Sequence, residues 1–98
     1  MDFGIFTMFS ARETSTQHEI FHEWFDVVQI AEESGIDTFW LGESHFRPHR
    51  AMMASTLIGA SAVASRTQHV RVGLAVQVLP LAKPLRIAEE TAIVNHIS

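Results

Sequence analysis

Apolar positions along the chain change period several times, and the changes divide it into six elements. Asp2–Phe9, DFGIFTMF, is rich in aromatic and β-branched residues and too short for a helix, so it reads as a buried strand leading into the polar loop SARETSTQ. Next, Ile20, Trp24, Val27, Val28 and Ala31 recur at helical spacing, broadened by Phe21. Thr16 and Glu19 form a capping box ahead of them and Gly35 is a C-terminal stop, which predicts a helix from about Gln17 to Ser34. A second strand-like run, Asp37 to Gly42, follows at once. A loop through Arg47, Pro48, His49 and Arg50 leads into MASTLIGASAVASR, where Met53, Leu57, Ser61 and Ala64 mark one face of a helix lined with small residues. His69 to Leu79 is an almost uninterrupted apolar strand, and Pro84 takes the first position of a third helix that runs to the end.

Strand, helix, strand, helix, strand, helix implies parallel strands with right-handed crossovers, and nearly continuous apolar strands imply a sheet covered on both faces. Such an α/β pattern fits an open doubly wound sheet or part of an eight-stranded barrel of the TIM type. The open sheet expects a glycine-rich turn after its first strand to cradle phosphate, and TMFSARE contains no glycine. The barrel is therefore favoured. A complete one takes about 250 residues, so residues 1–98 are expected to be the first three strand-helix units of a single, truncated barrel domain.

Composition narrows the function classes. The 98 residues are 47% hydrophobic, with a formal charge of −4 and seven scattered Lys and Arg. There is no basic stripe, which argues against nucleic acid or an anionic membrane surface as partner. No cysteine is present, which excludes disulfides, Cys-ligated metals and a thiol nucleophile. No run has the length of a signal or membrane segment. A soluble, untargeted, cytoplasmic protein is expected.

HEIFHE, His18 to Glu23, contains the His-Glu-x-x-His pattern of zinc hydrolases. On a helix His18 and His22 lie one turn apart, and Glu19 could act as a base on a metal-bound water. Turning the helix at about 100° per residue places both histidines with Asp26, Gln29 and Glu33, opposite the apolar arc. A catalytic zinc also needs a third protein ligand, and no later residue stands at a recognisable spacing. His45 and His49 share i,i+4 spacing, but the intervening Pro48 disfavours a helix there. No metal site is expected.

With DTFWLGESHF as the second strand and VRVGLAVQVLP as the third, the chain resembles the bacterial-luciferase-like flavin-dependent monooxygenases. The resemblance runs in register from DFGIF through AEESGIDTFWLGESHF to VLPLAKPLRIAEETAIVNHIS. It implies an eight-stranded barrel, reduced FMN or, in one branch, a deazaflavin as cofactor, and oxidation of a small organic substrate with O₂. A flavin reductase as electron source and a homo-oligomeric assembly are also implied. Barrel sites form at the C-terminal ends of strands, which is where Glu43, Ser44 and His45 fall. The family often has Glu-His-His there, its first histidine serving as a base in the luciferases. Here Ser44 takes that place, and a serine hydroxyl cannot hold a proton near neutrality as imidazole does. His45 is the candidate for hydrogen bonding to a flavin edge or substrate; its alternative role is a buried histidine satisfied by a backbone carbonyl. Glu43 is a candidate catalytic residue or a structural ion pair with Arg47 or Arg50. Ala75-Val76 matches the family's non-prolyl cis peptide beside the flavin ring, and Phe6 and Met8 would face the pocket mouth or belong to the core. The family grips the FMN phosphate with later strands, so these 98 residues alone are expected to be inactive. A reading from a different class is a non-catalytic α/β piece that only self-associates.

Overall fold

The computed structural model describes residues 1–47 and 52–98. Strands β1 (Gly4–Thr7), β2 (Thr38–Leu41) and β3 (Arg71–Leu74) alternate with helices α1 (Gln17–Glu33), α2 (Thr56–Ala64) and α3 (Pro84–Ile97), and a 3₁₀ turn, Leu79–Leu81, precedes the last helix. The sheet has the order β1-β2-β3 and is parallel throughout, with Phe6 beside Trp40 and Trp40 beside Gly73. This is the arrangement of the first three strand-helix units of a parallel barrel.

Local chemistry fixes α1 at both ends. Thr16 Oγ1 accepts from the Glu19 N–H while the Glu19 carboxylate accepts from the Thr16 N–H, which completes the expected capping box. At the other end Gly35 adopts a φ of +71°, its N–H reaching Glu32 O and that of Ile36 reaching Ala31 O. That pair of bonds is a Schellman stop, which requires the left-handed conformation glycine tolerates. Ile20, Trp24, Val28 and Ala31 are buried as the periodicity predicts, whereas Val27 is exposed at the edge of the apolar arc. His18 and His22 project into solvent with their rings edge to face, on the polar side of the helix.

The core lies between the sheet and its helices. Trp24 of α1 stands against Phe39 of β2 and Phe9, and its indole N–H donates to Thr7 Oγ1 at the end of β1. Met53, Ala60 and Val63 close the core from the α2 side, with Val94 of α3 packed on its margin. A carboxylate ties the loop before β3 to α1: Glu32 accepts the backbone N–H groups of Gln68, His69 and Val70 at 2.8–3.0 Å. Burial raises the Glu32 pKa, but these three donors together with the His69 ring outweigh it and hold the group below its ordinary value.

The third strand is much shorter than its apolar run, covering Arg71–Leu74 within His69–Leu79. A strand continues only while it has a partner. The Ala75 N–H makes the last ladder bond, to Leu41 O, after which β2 has ended. No helix among the described residues is long and apolar enough to cross a membrane. His49, Pro48 and Arg50, which bear on the spacing argument above, lie outside the described residues.

Candidate functional site

Alternate residues of the three strands form layers on the face away from the helices. The middle layer holds Phe6 and Trp40 beside Gly73, where a Cβ would stand 2.3 Å from the Trp40 ring. Glycine is needed there because the indole lies across the neighbouring strand. One step toward the C-terminal ends come Met8, Gly42 and Ala75; a Cβ on Gly42 would meet Phe6 at 2.9 Å and Met8 at 3.3 Å. The glycines thus make room for the Phe6, Met8 and Trp40 side chains, which lie over the neighbouring backbone. Phe6, Met8 and Trp40 remain 54%, 44% and 40% exposed.

Beyond the rim, two loops are tied together. The peptide between Ala75 and Val76 is cis, at the position the family resemblance implies, and the Val76 side chain is exposed. Glu43, only 2% exposed in its side chain, receives the Val78 N–H on Oε2 at 2.8 Å and contacts His45 Nε2 through Oε1 at 2.6 Å. Ser44 is held through its backbone, its N–H donating to Met53 O. Phe46 then turns the chain with a φ of 57° and a fully exposed ring. A second tie runs from α2: the fully buried Thr56 hydroxyl donates to Gln77 Oε1 at 2.8 Å.

Glu43, His45 and Gln77 form one wall of a cleft of about 430 Å³, whose other sides come from Leu57 of α2 and from Lys83 and Arg86 at the start of α3. Arg86 is already engaged with Glu90 one helical turn on. Phe6, Met8 and Val76 do not line this cleft; Phe6 and Met8 belong to the open face of the sheet, and Val76 is exposed beyond the end of β3. Glu43 ties the His45 loop to the loop after β3, one carboxylate oxygen serving each.

Several expected residues therefore converge. Glu43, His45 and the Ala75-Val76 segment meet at the strand ends, and Phe6 and Met8 share the adjoining face. Among the described residues Glu43 pairs with His45 and the Val78 amide, not with Arg47, and His45 is satisfied by that carboxylate, not by a backbone carbonyl. Thr56, Gln77 and the Val78 amide were not legible in the sequence, since partners separated by 21 and 35 positions leave no periodic signal.

The sequence pattern of the luciferase-like monooxygenases matches residues 1–98, the whole chain. The chain belongs to that family. Limonene 1,2-monooxygenase of Rhodococcus erythropolis is 32% identical over 98 residues, covering all of this chain and 25% of that protein. The alkanal monooxygenase alpha chain of Photorhabdus laumondii is 31% identical over the full chain and 27% of its own length. The oxygenase component of flavin-dependent trigonelline monooxygenase from Acinetobacter baylyi is 29% identical, again over 100% and 27%. The chain thus spans about a quarter of the length of the curated luciferase-like relatives it matches. Among solved structures, a monooxygenase from Streptomyces bottropensis superposes with a TM-score of 0.91 at 23% identity, over 100% of this chain and 30% of that one. The oxygenating constituent of 3,6-diketocamphane monooxygenase from Pseudomonas putida, solved with FMN, gives 0.88 at 18% identity over 99% and 26%. These likenesses place the luciferase-like chain in the same barrel fold.

Proposed function

We propose that the chain supplies the ring end of a flavin site in an enzyme that uses reduced FMN and O₂ to oxidise a small organic substrate. The observation that carries this reading is the convergence of the Glu43-His45 pair and the Ala75-Val76 segment at the C-terminal strand ends, where barrel enzymes place their chemistry. The surface suits a flat heterocycle: Phe6 and Trp40 form an apolar floor, with Met8 packed over Gly42 beside them. FMN is favoured over a deazaflavin by the bound cofactor of the diketocamphane enzyme.

When bound, the reduced flavin supplies the electrons for reduction of O₂, with one oxygen atom entering the substrate and the other leaving as water. The chain's residues do the rest. The backbone at Ala75-Val76 and the apolar surface of Phe6 and Met8 hold the ring and exclude water. His45 moves the proton, because Ser44 has no basic atom suited to neutral pH. Reduced flavin comes from a separate reductase, as the description of the trigonelline relative as an oxygenase component supports. Self-association of the whole protein is supported by the exposed Ile58, Leu85 and Ile93 on α2 and α3.

Anaerobic titration of the whole protein with reduced FMN and with a reduced deazaflavin, followed by admission of O₂ and a panel of terpenes, aldehydes and heteroaromatic acids, tests the reading. The expected outcome is saturable FMN binding and oxygen uptake that depends on one substrate class. Absence of binding by either flavin would overturn it.

A further inference from the structure

The Glu43-His45 contact has a direction. Glu43 Oε2 is already the acceptor for the Val78 N–H, and the carboxylate as a whole is buried. An ionised carboxylate has only acceptor sites, so with Glu43 ionised the 2.6 Å contact at Oε1 puts the proton on His45 Nε2. In the neutral ring the other nitrogen, Nδ1, then carries a lone pair, and among the described residues it has no hydrogen-bond partner. His45 also keeps 27% of its side chain exposed and lines the cleft. The remaining charged groups on that cleft are Arg86 and Glu90 of α3, which pair with each other, and Lys83 just before α3.

We propose that Glu43 is a positioning residue that locks His45 in the Nε2–H tautomer and so makes Nδ1 the proton acceptor of the site, in place of the imidazole that position 44 lacks. Acceptance of a proton from a substrate or water O–H at Nδ1 forms an imidazolium, and Glu43 balances its charge, taking the pair from −1 to 0. The Val78 amide anchors the carboxylate, so the tautomer of His45 is set from the loop that also carries Ala75-Val76. This assignment rests on the flavin-site reading for its catalytic consequence, but the tautomer itself does not.

Glu43→Gln separates the two. The Val78 N–H needs an acceptor, so it fixes the amide oxygen on its side and turns the amide NH₂ toward His45. A donor now faces Nε2, and the ring proton must move to Nδ1. Long-range ¹⁵N–¹H spectra of the histidine-labelled whole protein, recorded without flavin and at alkaline pH so that neutral rings are observed, should show Nε2–H in the parent and Nδ1–H in the variant. Turnover should fall about 10- to 100-fold with its pH profile altered, while reduced-FMN affinity is kept. Nδ1–H in the parent would overturn the proposal even if the variant failed to fold. So would a folded variant with unchanged tautomer and turnover. Loss of flavin binding in the parent itself would instead remove the proposed function and leave the tautomer result standing.

Discussion

On the helix-covered side of the sheet Phe39 and Leu41 are completely buried, whereas on the opposite side Phe6, Met8 and Trp40 keep between 40% and 54% of their surface. Both sets are apolar and alternate along the same short strands. The covered side is filled by packing that any hydrophobic residue of the right volume could supply. The open side is shaped differently: glycines at 42 and 73 accommodate the side chains of Phe6, Met8 and Trp40. One side holds the chain together, and the other is the surface proposed above to meet the flavin.

The largest effect expected from this contrast is on the 98-residue chain by itself. Its open apolar side and the free edges of β1 and β3 invite pairing with other copies. Light scattering should show self-association, with negligible FMN binding; a compact monomer that unfolds cooperatively and binds FMN at micromolar levels would break the distinction between the sides. In the whole protein, Phe39→Ala should lose about 3–5 kcal/mol in denaturant titrations. Phe6→Ala should cost about 1 kcal/mol or less in stability while weakening reduced-FMN binding. Equal stability losses would make both sides ordinary core.

A smaller effect is expected at Glu32, where one carboxylate replaces the missing partners of three backbone amides. Glu32→Gln should cost about 1–2 kcal/mol at neutral pH, since the charged acceptor is lost but the side chain is partly exposed. Because the folded pKa lies below the ordinary 4.5, this contribution is complete above that value and disappears as pH falls through the lowered folded pKa. Denaturant midpoints of parent and variant should therefore converge only in acid. A difference that persists unchanged there would assign the effect to packing. The smallest effect is expected for the double change of His18 and His22 to Ala, within about 0.5 kcal/mol, with activity kept. Stoichiometric zinc lost on that change would contradict the solvated reading of this helix face.

The helices were legible because their signals are local. Thr16, Glu19 and Gly35 mark the ends of α1 within a turn of the residues they cap, and Pro84 opens α3 as expected. Order and direction of the strands followed from alternation with helices. Strand lengths did not, because β3 stops when β2 runs out of backbone to pair with, a fact that resides in the partner strand and not in the apolar run His69–Leu79. At the site, the positions of Glu43, His45 and Ala75-Val76 came from resemblance and strand ends. Their connections did not: the Val78 amide on Glu43 and the Thr56 hydroxyl on Gln77 join loops through the fold. Likewise, polarity left Glu43 open between a catalytic role and an ion pair with Arg47 or Arg50, and among the described residues its partners are His45 and the Val78 amide.

Replacement of His45 by alanine in the whole protein, read as turnover and melting temperature on the same preparation, tests most directly whether the strand ends carry chemistry. Reduced-flavin-dependent oxidation should fall by about 100-fold or more, with reduced FMN still bound and only a small shift in melting temperature. A loss of activity no greater than the loss of folded protein would make His45 a structural histidine and contradict a chemical role for the strand ends.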